Sequence, residues 1–160
     1  MNYKWSDLNK LQLGKYAEYF AKMELTVYGC DVYSTEVDDR GIDFVVRKDS
    51  QHYYDIQVKS IRPKSNYVYM PKDKFEIREN MFLCLVLFRD DEKPSFYLIP
   101  ASAWKELNQL FVSRDYDKPG QKSKPEWGLN LSKVNLPLLK PYEFDKVVDL
   151  LVARKDKNDL

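Results

Sequence analysis

The chain has 160 residues, of which 44% are hydrophobic and 32% are charged, and this length and composition are typical of one globular domain. Its 26 Lys and Arg residues nearly balance its 25 Asp and Glu residues, which excludes a long basic arm or acidic tail but leaves room for a locally basic surface. The longest apolar run, over residues 81–88, is too short to span a bilayer, and no signal peptide follows Met1. We therefore predict a cytoplasmic protein that does not bind membranes.

The first part of the chain predicts one helix followed by strands. Apolar residues at helical spacing begin after Ser6, a good N-cap, and predict a helix over residues 7–23. Runs rich in Val, Ile and Tyr then predict three strands, the last two joined as a hairpin by a short polar turn. These strands cover residues 26–33, 42–47 and 53–61.

The second part predicts further strands and two helices around a central strand. Residues 81–88 are almost wholly apolar, which is typical of a strand covered on both faces. We predict strands over residues 67–70 and 95–99, helices over 101–110 and 142–153, and a loop over 113–127. Together these elements predict an α/β sandwich with a central mixed β-sheet flanked by helices. It forms a single domain over residues 1–160, with residues 155–160 as a frayed tail.

The scarcity of histidine, cysteine and glycine limits the kinds of catalytic or binding site that the chain can form. Cys30 and Cys84 lie in apolar runs outside any C-x-x-C pair, and His52 is the one histidine. These residues exclude a Cys and His zinc cluster and predict two buried thiols in a reducing compartment. A hydrolase with a catalytic histidine would depend on His52, which lies in a predicted turn. The five glycines form no phosphate-binding loop, so an enzyme of this composition would work with carboxylates, lysines and a metal.

Polar side chains on the predicted hairpin and helix can converge on one metal ion. Gln57 and Lys59 are two residues apart, so a strand projects both to one face. The predicted turn places Asp43 opposite Gln57, where cross-strand Cβ atoms are about 4.5–5.5 Å apart. The Asp43 carboxylate, the Gln57 amide oxygen and a backbone carbonyl such as that of Val58 are hard ligands for Mg²⁺. Glu18 could reach the site from the helix, directly or through water. A divalent ion beside a lysine suits phosphodiester hydrolysis.

Three short motifs, in chain order, resemble those of the PD-(D/E)XK nuclease superfamily. They are G-K-Y-A-E ending at Glu18, G-I-D ending at Asp43, and Q-V-K from Gln57 to Lys59. Their order resembles the branch that holds archaeal Holliday-junction resolvases and Mrr-type restriction enzymes. The resemblance covers residues 7–61, and the later elements fit by order. It implies the restriction-endonuclease-like fold and a metal-dependent endonuclease that hydrolyses phosphodiester bonds in DNA with Mg²⁺ or Mn²⁺.

The resemblance also implies a role for each motif residue. Asp43 would be the metal-binding acid, Lys59 the catalytic lysine and Glu18 the helix acid. Gln57 would replace the usual second acid, as in Mrr-type members, although a neutral amide is a weaker Mg²⁺ ligand than a carboxylate. The implied metal ligands are Asp43, Gln57, Val58 and Glu18. A homodimer is expected by analogy, because nucleases that cut both strands often pair two subunits.

Two other functions stay open from the sequence. The loss of a carboxylate at Gln57 is one way in which a nuclease fold becomes an inactive module that binds nucleic acid or a protein partner. An unrelated α/β structural domain is the other alternative, and it predicts that Asp43, Gln57 and Lys59 do not cluster. The mutual positions of these side chains separate the second alternative from the nuclease hypotheses.

Basic and aromatic residues follow the Q-V-K motif. They are Lys64, Lys72, Lys74 and Arg78, with Tyr67 and Tyr69 interleaved. Such groups could contact phosphates and stack on an unpaired base. Equally, the acids at positions 73, 76 and 79 dilute the positive charge, as on an ordinary charged surface whose tyrosines pack inward.

Overall fold

The computed structural model describes residues 1–37 and 40–152, so the predicted tail over residues 155–160 lies outside the described residues. The helices are α1 (Lys10–Val27) and α2 (Phe144–Val147). The strands are β1 (Asp31–Ser34), β2 (Phe44–Arg47), β3 (Tyr53–Ile61), β4 (Tyr67–Pro71), β5 (Met81–Leu87), β6 (Ser95–Pro100), β7 (Phe111–Arg114) and β8 (Glu126–Asn130). Within the described ranges, no helix has the length and apolar character needed to cross a membrane.

A five-stranded mixed sheet forms the centre of the structure, in the order β1-β2-β3-β5-β6. β3 and β5 run parallel, whereas the other neighbouring strands run antiparallel. Every residue of β5 is buried, as its apolar run predicted, because this strand has a neighbour on each side and is covered on both faces. The arrangement confirms the predicted α/β sandwich with a mixed central sheet.

Different elements cover the two faces of the central sheet. One face packs against α1 and the C-terminal helical segment, through Leu25 of α1 among others, and it buries both free thiols, Cys30 and Cys84, as predicted. The other face packs, through Leu85 and its neighbours, against Trp104 and a second sheet. This second sheet is antiparallel, in the order β4-β8-β7.

Helix α1 begins and ends later than predicted. Asn9 forms a reciprocal capping box with the glutamine three residues later, so Asn9 and not Ser6 is the N-cap. The amide and hydroxyl of Ser6 instead donate to the Asp90 carboxylate. The first residues of the predicted strand over 26–33 continue the helix, which ends before Gly29 because this glycine has a φ of +86°.

The helix predicted over residues 101–110 is wrong, because only the 3-10 helix Ala101–Lys105 forms there. The Trp104 indole turns inward and donates to the Gly128 carbonyl on β8 at 2.9 Å. The Asn108 side chain then accepts hydrogen bonds from the backbone amides of Leu110 and Phe111, where the chain turns into β7. Tertiary contacts of one tryptophan and one turn residue thus override the helical spacing of the sequence.

The loop and helix predicted after residue 110 are both shorter than expected. The loop predicted over residues 113–127 is reduced to 115–125, because its ends belong to β7 and β8. Three short segments replace the continuous helix predicted over residues 142–153: the 3-10 helix Leu136–Tyr142, which precedes all but the first residue of that range, then α2 and the 3-10 turn Val148–Leu150. An extended Glu143, with a ψ of 135°, separates the first two segments.

Candidate active site

The β2–β3 hairpin places Asp43 against the edge of β3. The hairpin pairs Phe44 with Ile56, which is the register predicted from the turn. β2 begins at Phe44, and the Asp43 amide just before it donates to the Ile56 carbonyl at 2.9 Å. Oδ2 of the Asp43 carboxylate accepts a hydrogen bond of 2.6 Å from the Val58 amide. The backbone of β3 therefore holds this carboxylate in place.

The Val58 carbonyl faces the same open edge as the Asp43 carboxylate. The Asp55 amide donates to Asn80, on the β5 side of β3, and the Ile61 carbonyl accepts from the chain just after β5. The backbone groups of alternate residues in a strand point to opposite sides. The amide and carbonyl of Val58 therefore both point away from β5. Within the described residues, β2 pairs with no residue of β3 beyond position 56, so the carbonyl lies outside that ladder.

Gln57 is a buried amide whose oxygen has no partner. Its side chain is 7% exposed, and within the described part of the chain its Oε1 atom is buried and accepts no hydrogen bond. The amide nitrogen lies beside Gly41, where a Cβ atom would come within 3.3 Å of Nε2 and 2.9 Å of the Lys74 Cβ. A buried acceptor without a donor costs about 1–3 kcal/mol. In folded proteins an ordered water, an ion or a ligand commonly satisfies such an atom.

Glu18 lies on α1, and its carboxylate is paired with Lys15. The Lys15 ammonium lies 2.6 Å from the Glu18 carboxylate, whose side chain is 23% exposed. The hydrogen bond and charge of Glu18 raise the pKa of Lys15, and the charge of Asp43 raises it further. Burial raises the pKa of the Cys84 thiol, and Asp43 again adds to the effect. Lys15 therefore lies in the electrostatic field of both acids.

Lys59 lies two residues after Gln57 on β3 and therefore shares its face. Its side chain is partly buried, and no ion pair or hydrogen bond engages its ammonium within residues 1–37 and 40–152. Asp55 lies on the same face at the other side of Gln57, but the Arg78 guanidinium pairs with its carboxylate. Lys59 is therefore the cation on this face that stays available to a ligand.

The residues around Asp43 offer oxygen atoms of the kind that bind a hard divalent ion. The Gln57 amide oxygen lacks a partner, and both the Val58 carbonyl and the Asp43 carboxylate face the edge beside it. Carboxylate and carbonyl oxygens are the ligands that Mg²⁺ prefers. The described residues nevertheless contain no cluster of three His, Cys, Asp or Glu side chains able to hold a metal. An ion here would therefore depend on neutral oxygens and water for most of its ligands.

Comparisons with known proteins give a structural likeness. No protein-family model matches the sequence, and no curated protein matches it. The solved structure of Hjc, a Holliday junction resolvase from Archaeoglobus fulgidus, superposes with a TM-score of 0.55 at 16% identity, covering 85% of this chain and 95% of that one. The chain has the restriction-endonuclease-like fold. The bacterial homing endonuclease I-Ssp6803I gives a TM-score of 0.48 at 18% identity, covering 86% of this chain and 90% of that chain.

Within this restriction-endonuclease-like fold, the contacts of two lysines near the candidate site were not predicted from the sequence. Lys15 pairs with Glu18, and its spacing of three residues on a helix could have indicated the pair. Lys74 packs its Cβ against the position of Gly41, but it comes from the segment after β4. Nothing in the local sequence around Lys74 predicts that contact.

Proposed function

We propose that the protein is a metal-dependent endonuclease that hydrolyses phosphodiester bonds in DNA. The proposed enzyme is one cytoplasmic domain over residues 1–160 that acts as a homodimer. The observation that carries the proposal is the buried, partnerless amide oxygen of Gln57 beside the Asp43 carboxylate, which the Val58 amide holds. The restriction-endonuclease-like fold of the chain supports it.

Asp43, Gln57, the Val58 carbonyl and Glu18 would hold Mg²⁺ or Mn²⁺. The bound ion would lower the pKa of a coordinated water and offset the charge on the phosphate. The Val58 amide orients the Asp43 carboxylate, and Lys15 orients Glu18.

Lys59 would act on the substrate. Its ammonium shares the face of Gln57 and has no partner within the described residues, so it is free to contact a phosphate oxygen or the attacking water. A positioned cation of this kind stabilises the charge that develops on the phosphate in the transition state. Removal of one such group costs about 10²–10³-fold in rate.

Cleavage of supercoiled plasmid tests the proposal. Purified protein with Mg²⁺ or Mn²⁺ is expected to nick the plasmid, and Asp43→Asn and Lys59→Ala are each expected to lower the rate at least a hundredfold, in line with the loss of about 10²–10³-fold per group. Lys93→Ala, at an exposed turn lysine, is the matched control and should cleave at the wild-type rate. Circular dichroism checks that each variant is folded. Cleavage that survives both site substitutions would reject the site.

A catalytically inactive module that binds nucleic acid or a protein partner is the second candidate function. It is favoured by the neutral Gln57 at the position of the second acid and by the lack of a three-acid cluster within the described residues. This alternative predicts that DNA is retained in a salt-sensitive manner, or that a protein partner is bound, with no cleavage in any metal. The same plasmid preparations, assayed in parallel for binding and for nicking, separate the two functions.

A further inference from the structure

The second sheet carries a pocket of about 510 Å³ outside the candidate active site. We call it the tyrosine pocket. Its principal lining residues are Tyr67, Tyr69, Arg114, Tyr116, Lys124 and Glu126. It thus combines three aromatic rings, two cations and one acid in a single concavity.

The aromatic side of the tyrosine pocket is built around Gly128. A Cβ atom at this position would lie 2.1 Å from the Tyr67 hydroxyl oxygen, so the Tyr67 ring can cross β8 only because the residue is glycine. The Arg114 guanidinium lies 4.1 Å from the centre of the Tyr67 ring. Tyr69 stacks beside Tyr67 with ring centres 6.4 Å apart and is 52% exposed. The pocket therefore offers a flat aromatic surface with a cation next to it.

The acidic side of the pocket is the carboxylate of Glu126, which is only 6% exposed. Its Oε1 atom accepts hydrogen bonds from the hydroxyls of Tyr116 at 2.5 Å and Tyr67 at 3.3 Å. Within the described residues, Oε2 accepts no hydrogen bond and no cation lies in salt-bridge contact. Tyr116 adopts a left-handed φ of 50°, a strained conformation for a residue other than glycine. The second oxygen of this carboxylate is thus left for a ligand.

We infer that the tyrosine pocket binds an unpaired nucleotide of a nucleic-acid substrate. The base stacks on Tyr69, an amino or imino N–H of the base donates to Glu126, and the flanking phosphates contact Arg114 and Lys124. Aromatic side chains stack on bases whatever the sequence, and cations beside them hold the backbone. The base must be unpaired, because a duplex hides both its faces and its hydrogen-bonding edge.

A short series of contacts links the tyrosine pocket to the candidate active site. Lys124 of the pocket pairs with Asp73 at 3.1 Å. The next residue, Lys74, packs against Gly41, which lies beside Gln57. This inference therefore deepens the proposed function and rests on it for the nature of the ligand. The substrate that fits both sites is a duplex with unpaired nucleotides.

A basic cleft continues the same surface beyond Tyr67. This cleft of about 660 Å³ lies between the start of α1 and the end of β3, and its lining includes Lys10, Arg62 and Lys64. Tyr67 lines both the cleft and the tyrosine pocket. The cleft has cations and no acid among its lining residues, as expected of a surface that follows a phosphate backbone.

Binding measured without a metal tests the inference separately from catalysis. The probes are a fluorescein-labelled DNA duplex and the same duplex with a bulge of unpaired adenines. Fluorescence anisotropy in EDTA measures the binding of each probe. Adenine stacks well and its amino group can donate to Glu126. We expect the wild-type protein to bind the bulged duplex at least about fivefold more tightly, since stacking contributes about 1–3 kcal/mol per base.

Two tyrosine variants make the test specific. Tyr69→Ala is expected to abolish the preference for the bulge while leaving affinity for the plain duplex unchanged. Tyr33→Ala, at an equally exposed tyrosine (48%) on the edge strand β1, is the matched control and should keep the preference. Equal affinity of the wild type for both duplexes, no binding to either, or equal losses for both in Tyr69→Ala would overturn the inference. A protein that binds the bulge but cleaves nothing would reject the nuclease and leave the pocket standing.

Discussion

The central sheet and the second sheet each bury a polar side chain, but the two side chains differ in their hydrogen bonds. On the central sheet, the Gln57 amide oxygen is buried with no partner. On the second sheet, two tyrosine hydroxyls satisfy one oxygen of the Glu126 carboxylate. The Gln57 oxygen therefore remains unsatisfied, whereas the hydrogen-bonded Glu126 carboxylate lines a pocket. Burial alone therefore does not reveal the role of a polar group, but its hydrogen bonds do.

The largest expected effect is that two similar substitutions change the free energy of unfolding in opposite directions. Glu126→Leu leaves two hydroxyls unpaired and should lower the free energy of unfolding by about 3 kcal/mol. Gln57→Leu removes a buried acceptor that has no partner and should raise the free energy of unfolding of the metal-free protein by about 1 kcal/mol. Urea denaturation in EDTA measures both. If both substitutions destabilised the protein to a similar extent, the Gln57 oxygen would have a partner in the folded protein, as Glu126 does.

A smaller effect is expected at the floor of the tyrosine pocket. Gly128→Ala places a Cβ atom in the volume of the Tyr67 ring and should lower the free energy of unfolding by about 2 kcal/mol, mostly through overpacking. Gly14→Ala is the control, because a Cβ atom there meets nothing within 4 Å and helix propensity favours alanine. A Gly128→Ala protein as stable as the wild type would mean that the ring is not fixed across β8.

The smallest expected effect is a pH dependence in the alkaline range. Burial, with the charge of Glu126, raises the pKa of Tyr67 from 10.0 to about 12. Between these pH values the unfolded chain loses the phenol proton and the folded chain keeps it, so the free energy of unfolding falls as pH rises. Tyr67→Phe should make this decline shallower in urea denaturation over that range. An unchanged slope in Tyr67→Phe would contradict the burial of the hydroxyl.

The sequence predicted best the elements whose structure depends on local pattern. β3 was predicted with its observed bounds, and β5 was predicted as a strand covered on both faces. The predicted helix over residues 101–110 failed because the inward contact of Trp104 with Gly128 comes from β8, far along the chain. Elements defined by distant partners are not visible in a local pattern.

The same distinction applies to the two sites. The hairpin register that brings Asp43 beside β3 follows from the spacing of the turn, so this part could be predicted. The tyrosine pocket joins residues of β4, β7, β8 and the loop between β7 and β8. Of these residues, Tyr67 and Tyr69 were predicted from the sequence to stack on a base. The contribution of Glu126 depends on pairing between strands that are distant in sequence, and no spacing of residues predicts it.

Diffraction from crystals soaked in Mn²⁺ would locate the proposed metal ion. We expect an anomalous peak bound by the Asp43 carboxylate, the Gln57 amide oxygen and the Val58 carbonyl. Gln57→Leu crystals grown and soaked in the same way should lose or weaken that peak. A Mn²⁺ ion bound elsewhere, or no ion at these oxygens in protein that cleaves DNA, would reject this metal site.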